Sequence, residues 1–297
     1  MTPRARIALT VVGVAVGILV LFVGTTWMLM GTMSEDGLPT GGPRVAVVEI
    51  EGIILDGGQV IRDLRDYADN PSVKAVVLRI NSPGGVVAPT QEISSAVQRV
   101  RKAGKPVVAS LGAVAASGGY YVAVSCDRIY ANPGTLTGSI GVVMQMANLE
   151  GLLKKVGVDY VVVKAGKYKD VGNLARQMTP EERKILQALL DDVYGQFVDA
   201  VAEGRGLEKE EVMAFADGRI YSGQQAQALK MVDELGGYED AIEAAAKLGN
   251  IPGKPKILYP RRKFSLRELL ENRLGLGAPS SLLPALSGIR TPLYLMQ

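Results

Sequence analysis

The chain has 297 residues, 47% of them apolar, with 35 glycines and only 5% aromatics, which excludes general disorder and fits one large α/β domain with appendages. The net charge of +3 is too small for a nucleic-acid binder; six basic and two acidic residues from Tyr259 onward place +4 in the tail and leave −1 for the rest. With no histidine, and with Cys126 as the single cysteine, an internal disulfide, a CxxC motif and any Ser-His-Asp or Cys-His enzyme are excluded by counting, and a zinc site is argued against.

In chain order, Arg4 and Arg6 precede an uncharged run of 25 residues from Ile7 to Gly31. That is long enough to span a hydrocarbon core, for which roughly 20 residues are needed. The run is also too long for the apolar region of a cleaved signal peptide, and it lacks a small-x-small cleavage site. It is expected to be an uncleaved signal anchor, with residues 1–6 cytoplasmic, 7–31 transmembrane and the body outside, because the arginines precede it. Trp27 sits where an interfacial aromatic would anchor. Residues 32–43, rich in Gly, Ser, Thr and Pro, are a linker.

From Arg44 the pattern alternates. Val45–Ile50 is strand-like, Ile53–Leu55 pairs with it or continues it after a bend, and Gly57–Tyr67 has helical spacing. Val73–Ile80 is a strand, Asn81–Gly85 a loop, Ile93–Val100 the core of a helix and Pro106–Leu111 another strand. Strands alternating with helices imply βαβ units and a largely parallel sheet. Further on, Arg128–Ala131 is strand-like, Leu152–Val156 helical and Tyr160–Lys164 extended. Thr179-Pro180-Glu181-Glu182 is a strong helix start, and shorter helices open at Ser222 and span Ala241–Leu248.

Ser117 lies in Ala115-Ala116-Ser117-Gly118-Gly119-Tyr120, where small neighbours leave its hydroxyl unshielded at a strand-to-helix junction. Serine there also serves as a helix N-cap. A nucleophilic hydroxyl needs a base and donors for the oxyanion. Without histidine the base must be a carboxylate, the N-terminal amine or a lysine, and the N-terminus is placed in the other compartment. Lys164, Lys167 and Lys169, at the end of an apolar strand, are the candidate lysines. Spacing does not choose among them, and such a stretch is more often a basic turn than a catalytic base. Asp170 must point away, since a nearby carboxylate would keep the lysine charged. For the oxyanion, the glycines of Asn81-Ser82-Pro83-Gly84-Gly85 permit exposed N–H groups, although a plain type II turn also fits. Gly118 would supply a second N–H. Cys126, in an apolar run, is a buried structural thiol.

Four stretches (Asn81–Gly85, Ala115–Tyr120, Asn132–Gly141 and Gly166–Asp170) occur in the order and spacing of the bacterial signal peptide peptidases. From about Arg44 to Leu258 the chain resembles the short, single-domain form of that SppA family, membrane-anchored Ser-Lys proteases. The resemblance implies an α/β fold like those of the Clp protease proteolytic subunit and the crotonases, with repeated ββα units after one N-terminal transmembrane helix. Carried over, Ser117 matches the nucleophile, Lys169 the general base, Gly85 and Gly118 the oxyanion donors, and Ser139 a hydroxyl that orients the lysine. It implies a peptidase domain over 44–258 outside the cytoplasmic membrane, a homo-oligomer, no metal or other cofactor, and apolar peptides such as cleaved signal peptides as substrates. A crotonase-like acyl-thioester enzyme and a non-catalytic scaffold are the alternatives. The basic and apolar extension 259–297 resembles the family least. It is a membrane-surface patch, a segment docked on a neighbouring subunit, or a self-processed peptide in the active site, and its apolar end favours a docked strand.

Overall fold

The computed structural model describes residues 3–32, 42–260 and 293–295. The chain divides into two compact units, Met1–Gly42 and Pro43–Gln297. The first contains α1 (Pro3–Thr32), whose described side chains, residues 13–27, are almost all exposed. Among the described residues no helix is long and apolar enough to cross a membrane. The expected span 7–31 lies within α1 and is helical, but a membrane span is not found among the described residues. Most of the expected linker 32–43 lies outside the described residues.

The second unit runs β1 (Arg44–Glu51), α2 (Gly58–Asp69), β2 (Val73–Ser82), β3 (Gly84–Val86), α3 (Val87–Lys102), β4 (Val107–Ala116), α4 (Gly118–Ala123), β5 (Arg128–Ala131) and β6 (Leu136–Gly138). It continues with α5 (Glu150–Lys155), α6 (Pro180–Arg205), α7 (Lys209–Met213), β7 (Ile220–Ser222), α8 (Gly223–Ala228), β8 (Glu234–Leu235), α9 (Tyr238–Leu248), β9 (Lys256–Leu258) and β10 (Leu293–Leu295). Eight strands form one sheet along β7-β6-β4-β2-β1-β9, with β5 beside β4 and β8 beside β5. Every pairing in that sheet is parallel except β6 with β7.

A parallel sheet covered on both faces needs strands that are apolar throughout, and β1, β2 and β4 are. Along β1, Ala46, Val48 and Ile50 enter a core shared with α2, α3, α4 and α6, whereas Val45 and Val47 enter a second core under α9. The long strand β4 serves two neighbours: Val108–Leu111 pairs with β5, and Val114–Ala116 pairs with β6. Its end, where the chain turns into α4, thus lies between β2 and β6. The short helix α4 is held from below by Tyr120, fully buried with its hydroxyl donating to the Met231 carbonyl at 2.9 Å. It is held from the side by Tyr121, whose ring lies 5.1 Å from that of Phe197 on α6.

Three local expectations change. Ile53–Leu55 is no strand; Ile54 alone bridges to Gly85. Asn81–Gly85 is not a loop, because β2 runs on through Ser82 and β3 starts at Gly84 after a single proline. Tyr160–Lys164 pairs with no strand among the described residues, since β-branched residues need a neighbouring edge and none lies beside them. The start of α6 is as expected: the Glu182 N–H donates to Thr179 Oγ1 at 3.2 Å and the Thr179 N–H donates to Glu182 Oε2 at 2.9 Å.

Candidate active site

Ser117 occupies the N-cap position of α4, yet its side chain makes no capping hydrogen bond. Its backbone sits at φ 50°, ψ −117°, a conformation that costs a non-glycine residue about 1–3 kcal/mol. The residue is 0% exposed, and its Oγ is one of three buried side-chain polar atoms without a hydrogen-bond partner among the described residues. An unpaired buried hydroxyl costs a further 1–3 kcal/mol or so. Two unfavourable features thus meet at one residue, the combination expected where strain serves function. The backbone holds it in place: the Ser117 N–H donates to the Gly138 carbonyl at 2.7 Å, and the Ser117 carbonyl accepts from the Tyr121 N–H at 2.8 Å.

The two expected oxyanion donors lie side by side. A Cβ on Gly118 would stand 3.1 Å from the Gly85 nitrogen and 3.0 Å from Thr90 Oγ1. As the first residue of α4, Gly118 has an N–H outside the helical ladder. Gly85 is fixed by Ile54, whose N–H donates to the Gly84 carbonyl at 2.9 Å and whose carbonyl accepts from the Val86 N–H at 2.8 Å. A Cβ at Gly85 would meet the Ile54 oxygen at 2.1 Å, so no other residue fits there. Gly84, at φ 106°, makes the turn that aims β3 toward α4.

Ser139 follows β6 directly and is also buried, at φ 51°. Because Gly138 accepts from the Ser117 N–H, the two serines leave one hydrogen-bonded junction. Ser139 lines a groove of about 530 Å³ with Ile140, Val142, Tyr194 and Ile220, and no lysine is among the residues lining it.

Lys169 is not brought to Ser117 within the chain. It is exposed, its backbone N–H donates to the Gly166 carbonyl at 3.3 Å, and its side chain has no hydrogen bond or ion pair among the described residues. The other two lysines are taken. Lys164 pairs with Asp170 Oδ1, and Lys167 donates to both oxygens of Glu181 at 2.9 and 2.8 Å. The Glu181 carboxylate, with the Tyr168 hydroxyl, holds Lys167 protonated well above the ordinary lysine range. The segment around them is strongly apolar and open, with Val161 82% and Val163 96% exposed and Leu152, Val156 and Tyr160 also exposed.

Asp170 points away from Lys169. Its Oδ1 meets Lys164 and its Oδ2 accepts from Arg176 Nε at 3.1 Å, so the Arg176 guanidinium and the Lys164 ammonium depress its carboxyl well below the usual range. Arg176 also grips Glu182 with Nη1 at 2.8 Å and Nη2 at 2.5 Å. The sequence discloses the Thr179–Glu182 capping box but gives no sign that Glu182 serves Arg176 as well.

The tail supplies a contact that local sequence could not locate. Leu293–Leu295 pairs antiparallel with β3, Tyr294 opposite Gly85 and Leu295 opposite Gly84. The apolar end is thus a docked strand, and its partner is the glycine strand of the same chain. Arg261-Arg262-Lys263, the basic part of the extension, lies outside the described residues. Cys126 is buried among apolar residues, as expected, and burial pushes its thiol up.

A strained, unpaired serine hydroxyl next to Gly118, with Gly85 close to Gly118, on a parallel-rich α/β scaffold is an arrangement that suits acyl transfer. Comparison with known proteins specifies the family. Residues 99–252 match the model of Peptidase family S49, and the chain belongs to that family. It is 48% identical over 210 residues to a putative protease of Synechocystis, covering 70% of this chain and 75% of that one. It is 36% identical over 258 residues to a putative protease of Methanocaldococcus jannaschii, covering 82% and 83%. It is 33% identical over 244 residues to a putative signal peptide peptidase SppA of Enterococcus faecium, covering 78% and 70%. The chain is therefore a serine-type protease, and the acyl-thioester and scaffold alternatives are set aside.

Proposed function

We propose that Ser117 is the nucleophile of this protease, Lys169 its general base, the Gly85 and Gly118 N–H groups its oxyanion donors, and Ser139 the hydroxyl that orients the lysine amine. Neutral Lys169 takes the Ser117 proton as Oγ attacks the scissile carbonyl, and the two N–H groups hold the oxyanion. The lysine ammonium then gives its proton to the departing amine, and water, activated by the same lysine, releases the acyl-enzyme. The observation that carries this reading is the buried, unpaired Ser117 Oγ at φ 50° beside the two glycines.

The base comes from a neighbouring copy in a homo-oligomer. Among the described residues, the Lys169 side chain stands exposed and unpaired on an apolar segment open to solvent, and no lysine lines the groove at Ser139. The substrate binds as an extended peptide added to the β3 edge, the position that Leu293–Leu295 takes here. Apolar peptides such as cleaved signal peptides suit that edge. The peptidase domain spans 44–258 with a Clp protease/crotonase-like arrangement of ββα units. The N-terminal segment 7–31 anchors it as a single-pass protein of the cytoplasmic membrane, N-terminus inside, supported by its uncharged sequence and by α1.

Ser117→Ala and Lys169→Ala should each abolish cleavage of an apolar peptide. Mixing the two inactive chains under conditions of subunit exchange should restore up to about a quarter of the activity, since half the serines and half the lysines remain. Activity in either single variant overturns the dyad, and no recovery on mixing overturns its assembly across copies.

A further inference from the structure

The turn that carries Lys169 is balanced charge by charge. Among the described residues around it, Lys164 is matched to Asp170, Lys167 to Glu181, and Arg176 to both Asp170 and Glu182. Next to these, Glu150 and Lys154 of α5 pair with each other, and Arg183 follows Glu182 on α6. Asp170, Glu181, Glu182 and Glu150 thus each have a cation, and the Lys169 side chain is left over among the described residues.

Arg176 makes this possible. Its fork spans two carboxylates: Nε and Nη2 hold Oδ2 and the backbone carbonyl of Asp170 at 3.1 and 3.3 Å, while Nη1 and Nη2 hold the two oxygens of Glu182. Glu182 is only 4% exposed and is itself fixed as the capping residue of α6. The guanidinium thereby ties the residue after Lys169 to the rigid first turn of a 26-residue helix. Remove that tie, and Lys164 alone holds the Asp170 carboxylate, by Oδ1, leaving Oδ2 of the anion next in sequence to Lys169 free to turn toward its amine.

We propose that Arg176 is a positioning residue for the base: by clamping Asp170 to Glu182 it keeps the carboxylate beside Lys169 from pairing with that amine, and it sets the turn from which Lys169 reaches Ser117. This rests on the reading of Lys169 as the base. The chemistry is specific, because an amine accepts a proton only when neutral and a carboxylate at contact distance favours its charged form. A lysine at 176 cannot replace the fork, since an ammonium lacks the planar donors that hold two carboxylates at once.

The test is the pH profile of kcat/KM in the full chain. Arg176→Gln should lower kcat/KM at neutral pH about tenfold, mainly through kcat, and move the acid limb up by about 1 pH unit. Asp170→Asn added to that variant should return the limb to its wild-type position, which a merely structural loss would not do. Should Arg176→Gln not fold, because Glu182 is left buried without its partner, Arg176→Lys supplies the same comparison with and without Asp170→Asn. A limb that stays in place in the folded variant, or one that Asp170→Asn does not restore, overturns the role of Arg176. Lys169→Ala separates the two claims: activity in that variant removes the base itself, whereas an inactive Lys169→Ala with an unmoved limb removes only Arg176.

Discussion

The Ser117 N–H donates to the Gly138 carbonyl at 2.7 Å, one residue before Ser139. A single hydrogen bond thus closes the junction of β4 with β6 and fixes two serines that both have positive φ, at 50° and 51°. Neither conformation is favourable for a side chain with a Cβ. The sheet and the buried tyrosines of α4 impose them, so stability and activity pull in opposite directions here.

That opposition can be measured. Ser117→Gly relieves the φ strain, and after glycine's own entropic cost the chain should gain about 1 kcal/mol in urea unfolding while losing all activity. Ser117→Ala also removes the unpaired hydroxyl but keeps the strain, so it should be equally inactive and less stable than Ser117→Gly by about 1 kcal/mol. If the two variants are equally stable, the strain argument fails.

The two glycine amides should separate in their response to a methyl group. Gly85→Ala drives a Cβ to 2.1 Å from the Ile54 oxygen and should cost about 3 kcal/mol, because backbone must move. Gly118→Ala meets Thr90 Oγ1 at 3.0 Å and the Gly85 nitrogen at 3.1 Å, so it should disturb the donor pair more than the fold. Its kcat should fall about a hundredfold with a nearly unchanged unfolding midpoint. Equal stability losses in the two variants would contradict this assignment.

The docked tail predicts a competition. Removing residues from Ile289 onward should vacate the β3 edge and raise kcat/KM for an apolar peptide, and a synthetic Thr-Pro-Leu-Tyr-Leu peptide should then inhibit the shortened chain. Unchanged initial rates in both experiments would mean that substrates bind elsewhere.

Acid should loosen the start of α6. The hydrogen bonds from Arg176, and then from the Thr179 N–H, lower the Glu182 carboxyl from 4.5 to about 2. A depressed carboxylate contributes stability that is present in full above its ordinary value and is lost as the pH falls through the lowered one. Glu182→Gln should therefore unfold at lower urea than the parent at pH 7, and the two midpoints should converge near pH 2. A constant difference across that range would show that the pair does not titrate with folding.

The sequence determined much of this protein by itself. Alternating apolar runs set the parallel sheet, because β1, β2 and β4 are buried on both faces and must be apolar throughout. The Thr179-Pro180-Glu181-Glu182 start gave α6 through bonds confined to one helical turn. The absence of histidine leaves lysine among the few side chains able to serve as a base, and the small residues around Ser117 mark it as the candidate nucleophile. The tertiary structure decided what depends on segments far apart in the chain. That Asn81–Gly85 ends in a strand follows from Ile54 pairing with it, a contact no local pattern discloses. Which lysine is left unpaired follows from Glu181 and Asp170 being held against Lys167 and Lys164. That Leu293–Leu295 lies along β3 follows from an edge it meets more than 200 residues away in sequence. Hydrophobic period and helix capping act over a few residues and are written in the chain, whereas edge pairing and charge matching depend on which surfaces the fold brings together.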